Sequence, residues 1–186
     1  MSERVVNDSR SAMRVKVLWI TRTALFIALL VTWQAVTAPL STFVTGSGVN
    51  MILAVAVMTC GLFSGIAVSA VSPVMAATLG IAPNWVFVPF IAAGNIVFVI
   101  LWYFIGNMDK INKYAEYVMA MAAAAVAKFL VLYIGVARIA IPVILNAPEP
   151  QASRMAGMFS LPQLVTATIG GVLAIAVFPT LRKAIK

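Results

Sequence analysis

Apolar runs long enough to cross a lipid bilayer follow one another along nearly the whole chain, separated by short polar breaks. A hydrocarbon core of ~30 Å takes about 20 apolar residues wound as an α-helix. The first run extends from Val17 to Ala38 and stops at Pro39, because proline disfavours helix in the residue before it. Ahead of it, residues 1–16 are polar and carry Arg4, Arg10, Arg14 and Lys16. This predicts a mobile cytoplasmic N-terminal tail over 1–16 that becomes helical near the membrane, followed by one transmembrane helical domain over 17–186.

Polar and glycine-bearing residues from Ser41 to Asn50 predict a loop. The nearly unbroken apolar stretch from Asn50 to Pro83 is short for two full spans and a turn. Gly61-Leu-Phe-Ser-Gly65 punctuates it, predicting a tight hairpin between a short helix 2 (50–62) and a helix 3 (65–81). Gly80-Ile-Ala-Pro-Asn-Trp85 reads as the next turn, helix 4 as 86–105, a charged loop as 106–113 and helix 5 as 114–136. Residues 138–160, with Pro142, Pro148 and Pro150, read as the longest loop, and helix 6 as 161–178. The expected fold is an all-α membrane protein, a bundle of six transmembrane helices with both termini cytoplasmic.

Composition agrees. Of 186 residues 63% are hydrophobic and 10% charged, too little charge to cover a soluble domain of this size, so lipid is the solvent for most of the surface. The net charge of +8 does not point to nucleic acid, because the basic residues cluster at the ends of apolar runs rather than among aromatics. With the N-terminus inside, the inner face receives the N-terminal cluster, Arg22, Lys110, Lys113, Arg182, Lys183 and Lys186. The outer face receives only Arg138 and Arg154. That bias fits the positive-inside rule and a cell membrane, bacterial by expectation. The first run is too long for the apolar core of a signal peptide and reads as a retained helix. The single Cys60 and the lack of histidine exclude an internal disulfide and any Ser-His or Cys-His nucleophile. Five acids and one cysteine put no metal site in sight, and no cofactor is expected.

Few side chains remain to carry function. Lys128 lies within helix 5, where an ammonium costs several kcal/mol unless paired or wetted. It either meets a ligand's negative group or snorkels towards the outer headgroups. Asn95 is a mid-membrane amide on helix 4, a helix–helix bond or a ligand contact. Gln163 opens helix 6, and Thr45, Ser47 and Asn50 stand on the glycine-bearing stretch. With Asn84 from the 80–85 turn, these are the candidate contacts for a small substrate near the outer leaflet, expected to be anionic or strongly electron-rich. The 41–50 and 138–160 segments are the expected roof. On helix 1, Ala24, Ala28 and Thr32 form a small-residue strip that lets another helix approach closely. Gly170 and Gly171, with Ala167 and Ala174, form a second strip, expected to serve internal packing.

Taken in order, these pieces resemble the substrate-binding S component of an energy-coupling factor (ECF) vitamin transporter. The resemblance rests on Thr21-Arg-Thr-Ala24-Leu-Phe-Ile-Ala28, on Cys60-Gly-Leu-Phe-Ser-Gly65-Ile-Ala-Val-Ser-Ala70, and on Phe159-Ser-Leu-Pro-Gln163-Leu-Val-Thr-Ala-Thr-Ile-Gly-Gly171. It implies a binding subunit, not an enzyme, that takes a vitamin or related micronutrient near the outer face. It also implies a partner transmembrane coupling subunit and two cytoplasmic ATPase subunits. No Gly-x-x-x-x-Gly-Lys-Ser/Thr loop occurs in the chain, so ATP work falls to another protein. The competing readings are a stand-alone secondary transporter working as a homo-oligomer and, less well served by the residues, a lipid-modifying membrane enzyme.

Overall fold

Every stretch that the hydropathy pattern marks as a span forms a helix, because backbone polar groups in lipid must be satisfied within their own segment. The structure, a computed structural model, describes residues 2–82 and 84–185, with side chains at 10, 13–82 and 84–181. The helices are α1 (Ser2–Thr37), α2 (Thr42–Cys60), α3 (Leu62–Thr78), α4 (Val88–Gly106), α5 (Lys113–Leu132), α6 (Gln151–Met158) and α7 (Leu161–Ile185). Five stretches are long and apolar enough to cross a membrane: Met13–Thr37, Thr42–Cys60, Trp85–Gly106, Lys113–Leu145 and Gln151–Leu181. The sixth long helix, α3, has 17 residues. At 1.5 Å per residue it reaches about 25 Å, just short of a ~30 Å core.

Several boundaries differ from the sequence reading. The helical backbone of α1 begins at Ser2 and runs through the stretch expected to be a mobile tail. The expected loop from Ser41 to Asn50 is the first half of α2, so helix 2 has 19 residues and is not the short one. Its N-terminus is capped by Ser41, whose Oγ accepts from the Val44 amide at 3.2 Å. The glycines that looked like loop punctuation are contact points instead. A side chain at Gly48 would collide with the Trp33 indole, and one at Gly46 would lie 3.1 Å from Thr166. Beyond α5 the helix continues as π-helix from Tyr133 to Leu145, through Arg138 and Pro142, so much of the expected 138–160 loop is helical. The 151–158 part of that segment is α6.

Helix α2 is the centre of the bundle. It packs against α7, α1, α3 and α4. Of its apolar stretch 61% is buried, against 11% for α1. The main core surrounds it, with Leu53, Ala54, Ala56, Phe98, Val99, Trp102, Ala120 and Ala124 fully enclosed. A second core fastens α6 and the π-helix to α4 and α5 through Phe87, Leu132, Val136, Ile141, Met155 and Phe159. There the rings of Phe87 and Phe159 meet edge to face at 5.2 Å. Close approach of α7 to α2 depends on Gly170. A Cβ there would stand 2.5 Å from the Ser47 carbonyl oxygen and 2.6 Å from Asn50 Cβ. The strip at 167–174 therefore packs internally, as its spacing suggests.

Backbone cannot yield as a flexible side chain can. Gly170→Ala is therefore expected to destabilise the purified protein by about 1–3 kcal/mol, the usual size of an overpacking penalty. Gly157→Ala on α6, where nothing lies within 4 Å, is the control and should leave the melting temperature nearly unchanged. Thermal melts of both variants in detergent check the contrast.

Candidate functional site

Where α1 ends, α2 begins, α3 ends and α4 begins, the bundle opens into a cavity of about 380 Å³. This is the end of the bundle away from the α4–α5 loop. Each of the six long helices contributes a polar side chain to its wall: Gln34, Asn50, Ser72, Asn95, Lys128 and Gln163. On α2 the lining residues are Thr42, Thr45, Gly46, Val49 and Asn50, the three- and four-residue spacing of one helical face. Apolar walls come from Val49, Pro73, Ala76, Ile91 and Leu132, and the rim from residues 79–82, Met158 and Phe159. A concave, mostly apolar site with a few convergent polar groups is the usual form of a small-molecule pocket.

Lys128 is the one ionisable side chain among the lining residues. It is 3% exposed and does not snorkel. Its Nζ donates to Asn50 Oδ1 at 2.6 Å, tying α5 to α2. It also stands 5.5 Å from the centroid of the Phe98 ring. Among the described residues no carboxylate pairs with it. Glu116, fully buried near the start of α5, accepts from Lys113 Nζ at 2.8 Å and from the backbone amides of Lys110 and Ile111. A lysine at the centre of a membrane helix costs about 2.5–3.5 kcal/mol on insertion scales. One charged hydrogen bond returns about 1.5–3 kcal/mol, and the ring adds about 0.5–2 kcal/mol. The resident contacts thus offset most of the cost of the buried ammonium, and two of its three protons remain for a guest.

The other amides are less well answered. Gln34, 5% exposed, donates from Nε2 to Ser72 Oγ at a long 3.4 Å, and its Oε1 has no partner. Asn95 is 1% exposed; its backbone carbonyl accepts from Ser69 Oγ at 3.3 Å, and its Oδ1 has no partner. Thr45 donates its hydroxyl proton to the Thr37 carbonyl at 2.9 Å. Gln163 Nε2 donates to the Met158 carbonyl at 3.0 Å.

Of the seven substrate contacts expected from sequence, Thr45, Asn50, Asn95, Lys128 and Gln163 line the cavity. Ser47 and Asn84 do not. Ser47 is buried with its carbonyl against Gly170. Asn84 caps the 3-10 turn Trp85–Phe87, its Oδ1 accepting from the Val86 amide at 2.9 Å. The expected roof is also different: the 41–50 segment is a helical wall, and of 138–160 only Met158 and Phe159 reach the rim. Gln34 and Ser72 were missed. Gln34 had a readable signal: Thr23, Leu30, Gln34 and Thr37 fall on one buried face of α1. The strip Ala24, Ala28 and Thr32 faces the other way and is exposed.

Residues 19–182 match the family described as ECF transporter, substrate-specific component. No curated protein and no solved structure matches the chain. The match spans all six long helices, and it is to a family of transporter binding components rather than of enzymes. The chain is a multi-pass membrane protein, and it belongs to the substrate-specific components of ECF transporters.

Proposed function

We propose that the chain captures a small vitamin or related micronutrient in the cavity between α1, α2, α3, α4, α5 and α7, and that the cavity opens towards the outside of a bacterial plasma membrane. A transmembrane coupling subunit and two cytoplasmic ATPases then drive delivery. The observation that carries this reading is the buried Lys128, held by Asn50 in the wall of a cavity with no resident carboxylate for it. A guest with a carboxylate, phosphate or other electron-rich group supplies the missing counterpart. The outward orientation is supported by the basic residues: Lys110 and Lys113 lie at the opposite end of the bundle from the cavity, where the positive-inside rule puts the cytoplasm.

The exposed strip on α1 supports docking of the coupling subunit through Ala24, Ala28 and Thr32. Internal packing does not use this face, and helices in lipid associate by close contact between small residues. A stand-alone carrier would need no such partner. Uptake of the substrate into vesicles that hold only this chain, driven by an ion gradient, would end the S-component reading.

Two variants test the parts separately. Mass spectrometry of the purified protein identifies the bound small molecule. Lys128→Met, which keeps length and removes the charge, should then bind it at least about tenfold more weakly, the size of one charged hydrogen bond. Unchanged affinity, or a cationic guest, contradicts the assignment of Lys128. Ala28→Trp should abolish transport by the assembled complex and leave binding by the isolated chain intact. Joint loss of folding and binding would mean that the strip is packing.

A further inference from the structure

The cavity wall is polarised, and the polarity restricts what can fill it. On the α2–α5 wall the ammonium of Lys128 has protons left over after its bond to Asn50. Asn50 Oδ1 is occupied by that bond, and among the described residues nothing accepts from the Asn50 amide nitrogen. This wall offers donors. Elsewhere the balance reverses. Gln34 on α1 and Asn95 on α4 each carry a buried amide oxygen without a donor. Helix α1 packs on α2 and α3, whereas α5 packs on α4 and α7, so Gln34 stands on a different wall from Lys128, while Asn95, one turn from the Phe98 ring beside Lys128, stands between them.

A buried carbonyl oxygen that gives up water to a guest and gains no partner from it is costly. Internal packing has not answered these two, although hydroxyls are at hand. Ser72 Oγ accepts from the Gln34 amide rather than donating to it, and Ser69 donates to the backbone of Asn95 rather than to its side chain. Both unanswered amides line the cavity; the third buried polar atom without a partner among the described residues, Trp102 Nε1, is a donor and lies in the closed core.

We propose that the substrate is bifunctional: an anionic or electron-rich group meets Lys128 and Asn50, and N–H or O–H donors elsewhere on the same small molecule meet Gln34 and Asn95. This rests on the cavity's being the substrate site. It narrows the class from small anions in general to molecules such as hydroxy-, amino- or amido-acids. Carboxylates with no other donor are excluded, since they would leave both amide oxygens buried and unpaired in the complex. Selectivity then comes from the unpaired groups, because a site built to accept from a donor rejects the analogue that lacks it.

The test uses the purified full-length chain in detergent and two probe sets, read by dose-dependent thermal stabilisation. Pantothenate and β-alanine carry a carboxylate together with further donors; nicotinate and hexanoate carry a carboxylate alone. A donor-bearing probe should bind, and the donor-free probes should bind at least about tenfold more weakly. Gln34→Met and Asn95→Leu should each weaken the donor-bearing probe by about tenfold and shrink the difference between the sets. The comparison on the parent chain stands by itself if a variant does not fold. Equal binding of both sets, with Lys128→Met weakening both, overturns the bifunctional substrate and leaves the anion-binding site standing. So does a preference for donors that neither Gln34→Met nor Asn95→Leu alters. Binding by no member of either set overturns the substrate site as read here, and this inference with it.

Discussion

A single hydrogen bond, from Lys128 on α5 to Asn50 on α2, holds the most expensive group in the bundle where lipid would otherwise forbid it. The bond works only because α2 brings Asn50 deep into the protein, 1% exposed, and because α7 presses close behind it. Gly170 allows that approach: any side chain there would meet Ser47 and Asn50 themselves. The amide that steadies the lysine and the glycine that lets α7 reach α2 are thus parts of one contact. The cavity exists because this contact fixes one of its walls while the neighbouring helix ends stay apart.

The same economy explains why the long polar side chains that find no full set of partners gather at one end. In lipid a polar side chain needs a partner inside the protein, and most find the backbone of their own or an adjacent helix. Thr23, Thr37, Thr59 and Thr168 all return their hydroxyl protons to the carbonyl four residues back. Such groups are spent. Gln34, Asn50, Asn95 and Lys128 are longer or richer in donors, and the backbone cannot absorb them. They meet around the cavity, where a guest can complete what the helices leave open.

Much of this was legible in the sequence. Hydropathy alone placed α4 and the start of α7 to within a few residues, because both are bounded by turns that carry proline or glycine. Lys128 and Asn95 stood out because ionisable and amide groups are rare in apolar runs, whereas Asn50 was noticed only as the end of the glycine-bearing stretch. Two things were hidden. Gly46 and Gly48 mimic loop punctuation, yet in a membrane small residues mark close helix packing. The loop rule inherited from soluble proteins therefore misread the first half of α2. Which amides face the cavity depends on helix rotation, and a run as uniformly apolar as α4 carries little periodic signal to fix it. Asn84 and Ser47 looked as suitable as Gln163 until their helix ends and rotations were known.

Helix α1 links the two surfaces on which the proposed transport cycle depends. One face, Ala24, Ala28 and Thr32, is turned outward and is free of the bundle. The opposite face, Thr23, Leu30, Gln34 and Thr37, is buried. Its hold on α3 is light at the cavity end, where Gln34 reaches Ser72 at 3.4 Å, and tight at the other, where Thr23 meets Ser64 at 2.8 Å. At the cavity end α1 is held to α2 instead: Thr45 Oγ1 donates to the Thr37 carbonyl at 2.9 Å, and Trp33 Nε1 donates to the Thr45 carbonyl at 3.2 Å. The helix that carries the outward strip is thus joined at its cavity end to the same α2 whose Asn50 holds Lys128 at 2.6 Å, and the long Gln34–Ser72 contact is the slack one in that wall.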